Sequence, residues 1–132
     1  MIKVFIPTDP LFKKFKQECK NLYEQVQDKI TDTNSFDFII SNTFFYLFTN
    51  QEEKLIGAIY FFLDKNNRLF LNGFAKPKFH LLNLQCLKLS LTWFSIDIYA
   101  EAQNRASALC LIRVGFKRIK DNLFVYKYII SN

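Results

Sequence analysis

Along the chain, the spacing of apolar residues switches between two and three-to-four, and each switch marks an element. Ile2, Val4 and Ile6 fall on one side of a short first strand. From residue 11 to 26 the interval lengthens. Leu11, Phe12, Phe15, Cys19, Leu22, Tyr23 and Val26 recur at helical spacing opposite Lys13, Lys16, Lys20 and Glu24, which predicts an amphipathic helix lying on a sheet. Thr8 or Asp9 is available to cap it, with Pro10 at its first position. Asp28, Thr31, Asp32, Asn34 and Ser35 are turn formers, and the apolar run 36–40 after them predicts a loop and one short helix. Residues 43–49 (TFFYLFT) and 54–63 (KLIGAIYFFL) read as strands joined by a turn at 50–53, and a second turn at 64–67 leads into a strand over 68–75. Three consecutive antiparallel strands are expected.

Residues 79–94 admit two readings. Leu87-Lys88-Leu89-Ser90-Leu91-Thr92-Trp93 alternates as a strand would, yet leucine, glutamine and lysine are helix formers and Thr92 is the only β-branched residue there. On a helix, Leu82, Cys86, Leu89 and Trp93 form one apolar stripe and Leu84, Leu87, Leu91 and Phe94 another, nearly opposite. A helix buried on two sides satisfies both. Residues 95–99 (SIDIY) then alternate as a half-buried strand, and Asn104 is a good N-cap for a helix carried by Ala106, Ala108, Leu109, Leu111 and Ile112. Gly115 stops that helix, and a final strand is expected over 123–128 after a turn at Asp121-Asn122.

Composition narrows the picture further. With 132 residues, half of them apolar and sixteen of them phenylalanine, the chain is expected to form one domain, 1–132, with an unusually aromatic core. Three widely spaced cysteines, Cys19, Cys86 and Cys110, argue against a disulfide framework or zinc site and point to buried thiols in a reducing cytoplasm. Lys88 interrupts the longest apolar window, so no membrane span is expected. A net charge of +6 attracts anionic partners without choosing among them. Lys13, Lys14, Lys16 and Lys20 cluster on the first helix, where a solvated face is the ordinary explanation and a nucleic-acid patch the alternative.

Asn104-Arg105-Ala106-Ser107 followed by Arg113-Val114-Gly115-Phe116 resembles the last helix of the GNAT acyltransferase superfamily, whose N-x-A-S…(K/R)-(L/V)-G-F pattern precedes an aromatic final strand. The resemblance covers most of the chain and is concentrated over residues 95–128. It implies an α+β, GNAT-like acyl-CoA N-acyltransferase fold, with a mixed, mostly antiparallel sheet flanked by helices. It also implies a bulge near Gly73, where the strand 68–75 would splay from its neighbour to admit the pantetheine arm of acetyl-CoA, with Phe74, Ala75 and Asn104 touching that arm.

The same resemblance exposes what is missing. Pro77-Lys78-Phe79 resembles the opening of the family's phosphate loop, (Q/R)-x-x-G-x-(G/A), which places His80 at the Arg/Gln position. Leu81, Asn83 and Gln85 then fall where small residues or glycines are usual, and their side chains would keep a diphosphate from the backbone amides. The tyrosine that serves many members as general acid is replaced by Leu111. Glu53 and Glu101 are the candidate bases; Tyr99, Tyr126 and Tyr128 are the candidate substitute acids. His80, the only histidine, has no carboxylate or cysteine beside it in sequence, so no metal site or nucleophilic triad is expected.

Three readings follow. In the first, a degenerate GNAT-like protein has no catalytic residues and no cofactor and binds a protein partner; reduced domains of this kind resemble accessory proteins of phages and mobile elements. In the second, an active N-acetyltransferase uses acetyl-CoA through Phe74, Ala75, His80 and Asn104. The third is a nucleic-acid binder working through Lys13, Lys16 and Lys20.

Overall fold

In the computed structural model, which describes residues 1–30 and 32–129, the chain runs β1 (Ile2–Phe5), α1 (Phe12–Val26), α2 (Phe36–Asn42), β2 (Phe44–Asn50), β3 (Leu55–Leu63) and β4 (Leu69–Ala75). It continues through α3 (His80–Ser90), β5 (Ile98–Glu101), α4 (Arg105–Arg113), β6 (Lys117–Lys120) and β7 (Leu123–Tyr126), with short 3-10 turns after α1 and on both sides of α3. Thr31, one of the expected turn formers, lies outside the described residues. The seven strands form one sheet in the order β1-β2-β3-β4-β5-β7-β6, and every neighbouring pair is antiparallel except β4 with β5.

The alternation of side chains sorts the core into two layers. Phe45, Leu47, Ala58, Tyr60 and Phe74 face α1 and α2, where they meet Phe12, Phe15, Cys19, Tyr23 and Phe36. Phe48, Ile59, Phe61, Leu71, Ile98, Ala100 and Phe124 face the other way, against Cys86 and Leu87 of α3 and Ala108 and Leu111 of α4. Aromatic rings knit the first layer: Phe45 meets Phe12 and Phe36 edge-on and stacks on Tyr60 at 5.9 Å. Each such buried ring contributes on the order of 1.5–3 kcal/mol.

Several expectations are corrected. Neither Thr8 nor Asp9 caps α1; Asp9 turns its carboxylate back to accept the Ile6 N–H at 2.7 Å, and the helix starts at Phe12 with no side-chain cap. Gly73 carries no bulge, because the β3–β4 register runs unbroken from Gly57↔Ala75 to Leu63↔Leu69. The irregularity sits on β3 instead, where Phe48 pairs with Gly57 and Thr49 with Leu55. The helical reading of 79–94 holds, but α3 is buried on one side only: Cys86, Leu87 and Ser90 are covered while Leu81 is 72% exposed. β5 begins three residues later than the isoleucine alternation suggested, and the chain after Gly115 forms a hairpin, β6 with β7, rather than a single strand.

Candidate functional site

The parallel pair β4 and β5 stays together for only three residues, Leu69↔Ile98, Phe70↔Tyr99 and Leu71↔Ala100. Beyond Leu71 the strands part, because β5 gives way to the turn that caps α4 while β4 continues to Ala75. That turn is fixed locally: Asn104 Oδ1 accepts the Ser107 N–H at 2.9 Å, and Ser107 Oγ accepts the Asn104 and Gln103 N–H groups, a reciprocal capping box. Gly115, at φ +110°, ends the helix, with the Phe116 N–H returning to Leu111 O at 3.0 Å.

Parting opens a cleft of about 410 Å³ walled by α3 and α4, with Gly73, Ala75, Asn83, Ser107, Cys110 and Leu111 among its lining residues. Its edge beyond Leu71 has no strand partner, although the Gly73 N–H is held by the Asn72 side chain. The Lys76 N–H donates to Ile56 O at 2.8 Å, so alternation directs the Phe74 and Asn72 backbone groups to β3 and those of Gly73 and Ala75 into the cleft. Gly57 makes this geometry possible: a Cβ there would lie 2.1 Å from the Phe74 carbonyl oxygen.

At the far end the chain enters α3 through Pro77–Phe79, a 3-10 turn. The Phe79 and His80 N–H groups are spent on the carbonyls of Lys76 and Pro77. Two of the amides that a helix start would offer an anion are therefore already bonded.

A second, smaller cleft of about 240 Å³ opens on the opposite sheet face, lined by Ile30, Phe62, Arg68, Phe70 and Gln103. The two clefts share Leu71, Asn72 and Glu101. Asn72 bridges them, its Nδ2 donating to Ile30 O at 3.1 Å and its Oδ1 accepting the Gly73 N–H at 2.8 Å. The Arg68 guanidinium lies over Phe70 and Tyr99 and pairs with Asp64. Burial tends to raise the Asp64 pKa, but bonds from Arg68 and the Asn66 amide outweigh it and hold the carboxyl below the usual range.

The expected site residues distribute unevenly. Phe74, Ala75 and His80 line the larger cleft, although the Phe74 ring packs away from it against Tyr23 at 5.5 Å. Asn104 does not line it; its side chain is committed to the cap, and Ser107 stands at the cleft in its place. Leu111 occupies the general-acid position, buried and without a proton to give. Tyr99 stacks with Phe70 on the other sheet face and Tyr126 packs on Phe116. Glu53 pairs with Lys14, which lowers its pKa through the hydrogen bond and the charge. Among the described residues no hydrogen bond joins His80, Glu101 or Cys110 to another titratable side chain. Burial raises the Cys110 thiol, partly offset by Arg113, so it carries its proton at neutral pH. Asn72 and Cys110 were missed in the sequence. For Asn72 the signal was present: it is the polar residue on the face shared by Phe70 and Phe74.

No family model and no curated protein matches the sequence. Solved structures do. An acetyltransferase of the GNAT family from Staphylococcus aureus Mu50 superposes with a TM-score of 0.68 at 14% identity, covering 98% of this chain and 100% of the other. The chain has the GNAT fold. Aminoglycoside 6′-acetyltransferase type Ii gives 0.67 at 13% identity, covering 100% and 99%. The ribosomal-protein-S5-alanine acetyltransferase of Vibrio fischeri gives 0.68 at 11% identity, covering 96% and 92%.

GNAT-fold acetyltransferases use acetyl-CoA, and the cleft tests that molecule in two halves. The pantetheine half fits, since an extended amide-bearing arm finds the Ala75 backbone groups and the Gly73 carbonyl on a strand edge without a strand partner, and an apolar channel between α3 and α4. The diphosphate half does not. Two amides at the start of α3, those of Phe79 and His80, are engaged, and the Asn83 side chain lines the cleft at a position where a small residue would leave room.

Proposed function

We propose that this GNAT-fold chain is a binding protein that has given up ordinary acetyl transfer from acetyl-CoA to an amine and engages a macromolecular partner through the β4–β5 cleft. One juxtaposition carries the reading: a β4 edge at Gly73 and Ala75 that has no strand partner, its Gly73 N–H held only by the neighbouring Asn72 side chain, lies beside an α3 start whose Phe79 and His80 amides are already bonded. Such a site favours an extended ligand that lacks a nucleotide. Loss of the acid at Leu111 agrees with it.

Thermal unfolding in the presence of ligand is the test. A ligand at a hundred times its dissociation constant adds about 2.7 kcal/mol, and acetyl-CoA is expected to protect no better than free pantetheine at equal concentration. Protection by acetyl-CoA far exceeding that by pantetheine, or acetyl transfer to any amine, overturns the proposal. Glu101 is the one observation that favours an active N-acetyltransferase, since its carboxylate stands where the two clefts meet. Replacement by glutamine would then abolish turnover.

A further inference from the structure

Charge is distributed very unequally along the chain, although the larger cleft itself is lined by Glu101 as well as by His80 and by Lys76, which pairs with Glu18. The stretches 76–94 and 102–120, which hold α3, α4 and the edge strand β6, contain eight basic residues and no acidic one. The rest of the chain, with ten basic against twelve acidic residues, nets −2, so the whole positive excess of the protein lies here. Lys78, Lys88, Arg105 and Arg113 are all exposed.

These cations are interleaved with bare apolar side chains. Leu81 is 72% exposed at the start of α3, and Leu109 and Ile112 are about half exposed on α4. A small anion has no use for exposed leucines. An acidic protein surface with apolar residues among its carboxylates does, since it pairs charge at the rim and buries apolar area at the centre.

We infer that the partner is an acidic carrier protein bearing a 4′-phosphopantetheine arm, docked on the α3–α4 face with its arm threaded into the β4–β5 cleft. The inference rests on the binding reading above and supplies its occupant. It accounts for the half-fit of coenzyme A: the arm is the part the cleft accepts, and the carrier's own surface stands where a nucleotide would need the missing cradle. A single phosphate joins arm to carrier, and Lys78 and His80, both exposed at the start of α3, flank its entry. Asn72, which holds the Gly73 N–H in the free protein, yields that amide to the arm.

The experiment measures affinity, by titration calorimetry, for four probes: a bacterial holo-acyl carrier protein, its apo form, free pantetheine and coenzyme A. The holo carrier is expected to bind at least about tenfold more tightly than either the apo form or coenzyme A, with affinity that falls as salt rises. Lys88→Glu combined with Arg105→Glu, neither of which lines the cleft, should weaken holo-carrier binding about tenfold and leave pantetheine binding unchanged. Cys110→Phe, which places a ring inside the cleft, should erase the difference between holo and apo carrier; Leu81→Glu serves as a second, surface variant that weakens both forms. Equal affinity for holo and apo carrier in the unaltered protein, or coenzyme A binding as tightly as the holo carrier, overturns the carrier inference while leaving pantetheine binding intact. Failure of pantetheine itself to bind refutes the underlying cleft reading as well.

Discussion

Gly57→Ala tests how tightly the edge of the cleft is built. A Cβ at this position would lie 2.1 Å from the Phe74 carbonyl oxygen and 2.6 Å from the Ala75 Cα, both backbone atoms that no rotamer change can move. Relieving the first contact to 3.0 Å requires β3 and β4 to separate by about 0.9 Å. The same movement would carry the 2.8 Å bond from the Lys76 N–H to Ile56 O out of hydrogen-bonding range. Overpacking costs about 1–3 kcal/mol, and the lost bond about 1 kcal/mol. Reduced freedom of the unfolded chain offsets about 0.4–1 kcal/mol. The net is a destabilisation of about 1–3.6 kcal/mol. With an unfolding entropy of about 2.1 cal/mol/K per residue, the 132-residue chain should lose about 4–13 °C in Tm by scanning calorimetry. Gly73→Ala, whose nearest contact is 2.9 Å to Ala58 O, should cost less. A loss under about 3 °C for Gly57→Ala, or a larger loss for Gly73→Ala, would refute this account of the β3–β4 pairing.

Three further outcomes are expected. Asn104→Ala removes the acceptor for the Ser107 N–H and should destabilise the protein by about 1 kcal/mol in urea unfolding, with Ser107→Ala adding little on top because the two form one box. Asp97 accepts the Tyr128 N–H at 2.9 Å and pairs with Lys127, which holds its pKa below the unfolded value. Its stabilising effect is present above the unfolded pKa of about 3.9 and fades as pH falls through the lower folded value, so Asp97→Asn should flatten the acid limb of the stability curve without moving the limb above pH 6. In alkylation followed by mass spectrometry, Cys19 and Cys86 should resist iodoacetamide, since both are fully buried and burial pushes the Cys86 thiol up to about 12. Cys110, half-buried in the cleft, should react slowly and be protected when pantetheine is present.

Much of the architecture was legible because it is written locally. The 3.6-residue spacing of Phe12, Phe15, Cys19 and Tyr23 fixes which side of α1 meets the sheet, and the Asn104 cap with Gly115 bounds α4 at both ends. Elements whose state depends on neighbours were read less well. The 95–99 alternation resembled a strand, but Asp97 is drawn off to bond the chain end at Tyr128, so pairing begins only at Ile98. Three lysines and arginines around Ile119 hid an edge strand, because an exposed edge needs charge rather than apolar alternation. The cleft itself could not be read from residue types: it exists because β4 outlasts its partner beyond Leu71 and because Gly57 lets the two strands close at Ala75. Of Leu81, Asn83 and Gln85, read in the sequence as obstructing a phosphate, only Asn83 lines the cleft while Leu81 and Gln85 are exposed; what the sequence did not show is the 3-10 turn that uses the Phe79 and His80 amides.

Backbone amide spectra recorded while pantetheine, and separately coenzyme A, is titrated into the labelled protein bear most directly on the central claim that the cleft takes an extended arm and refuses a diphosphate. Pantetheine should shift the Gly73 and Ala75 amides, with coenzyme A moving the same two signals at no better affinity and leaving residues 79–85 in place. Tighter binding of coenzyme A accompanied by large shifts across 79–85 would contradict the claim.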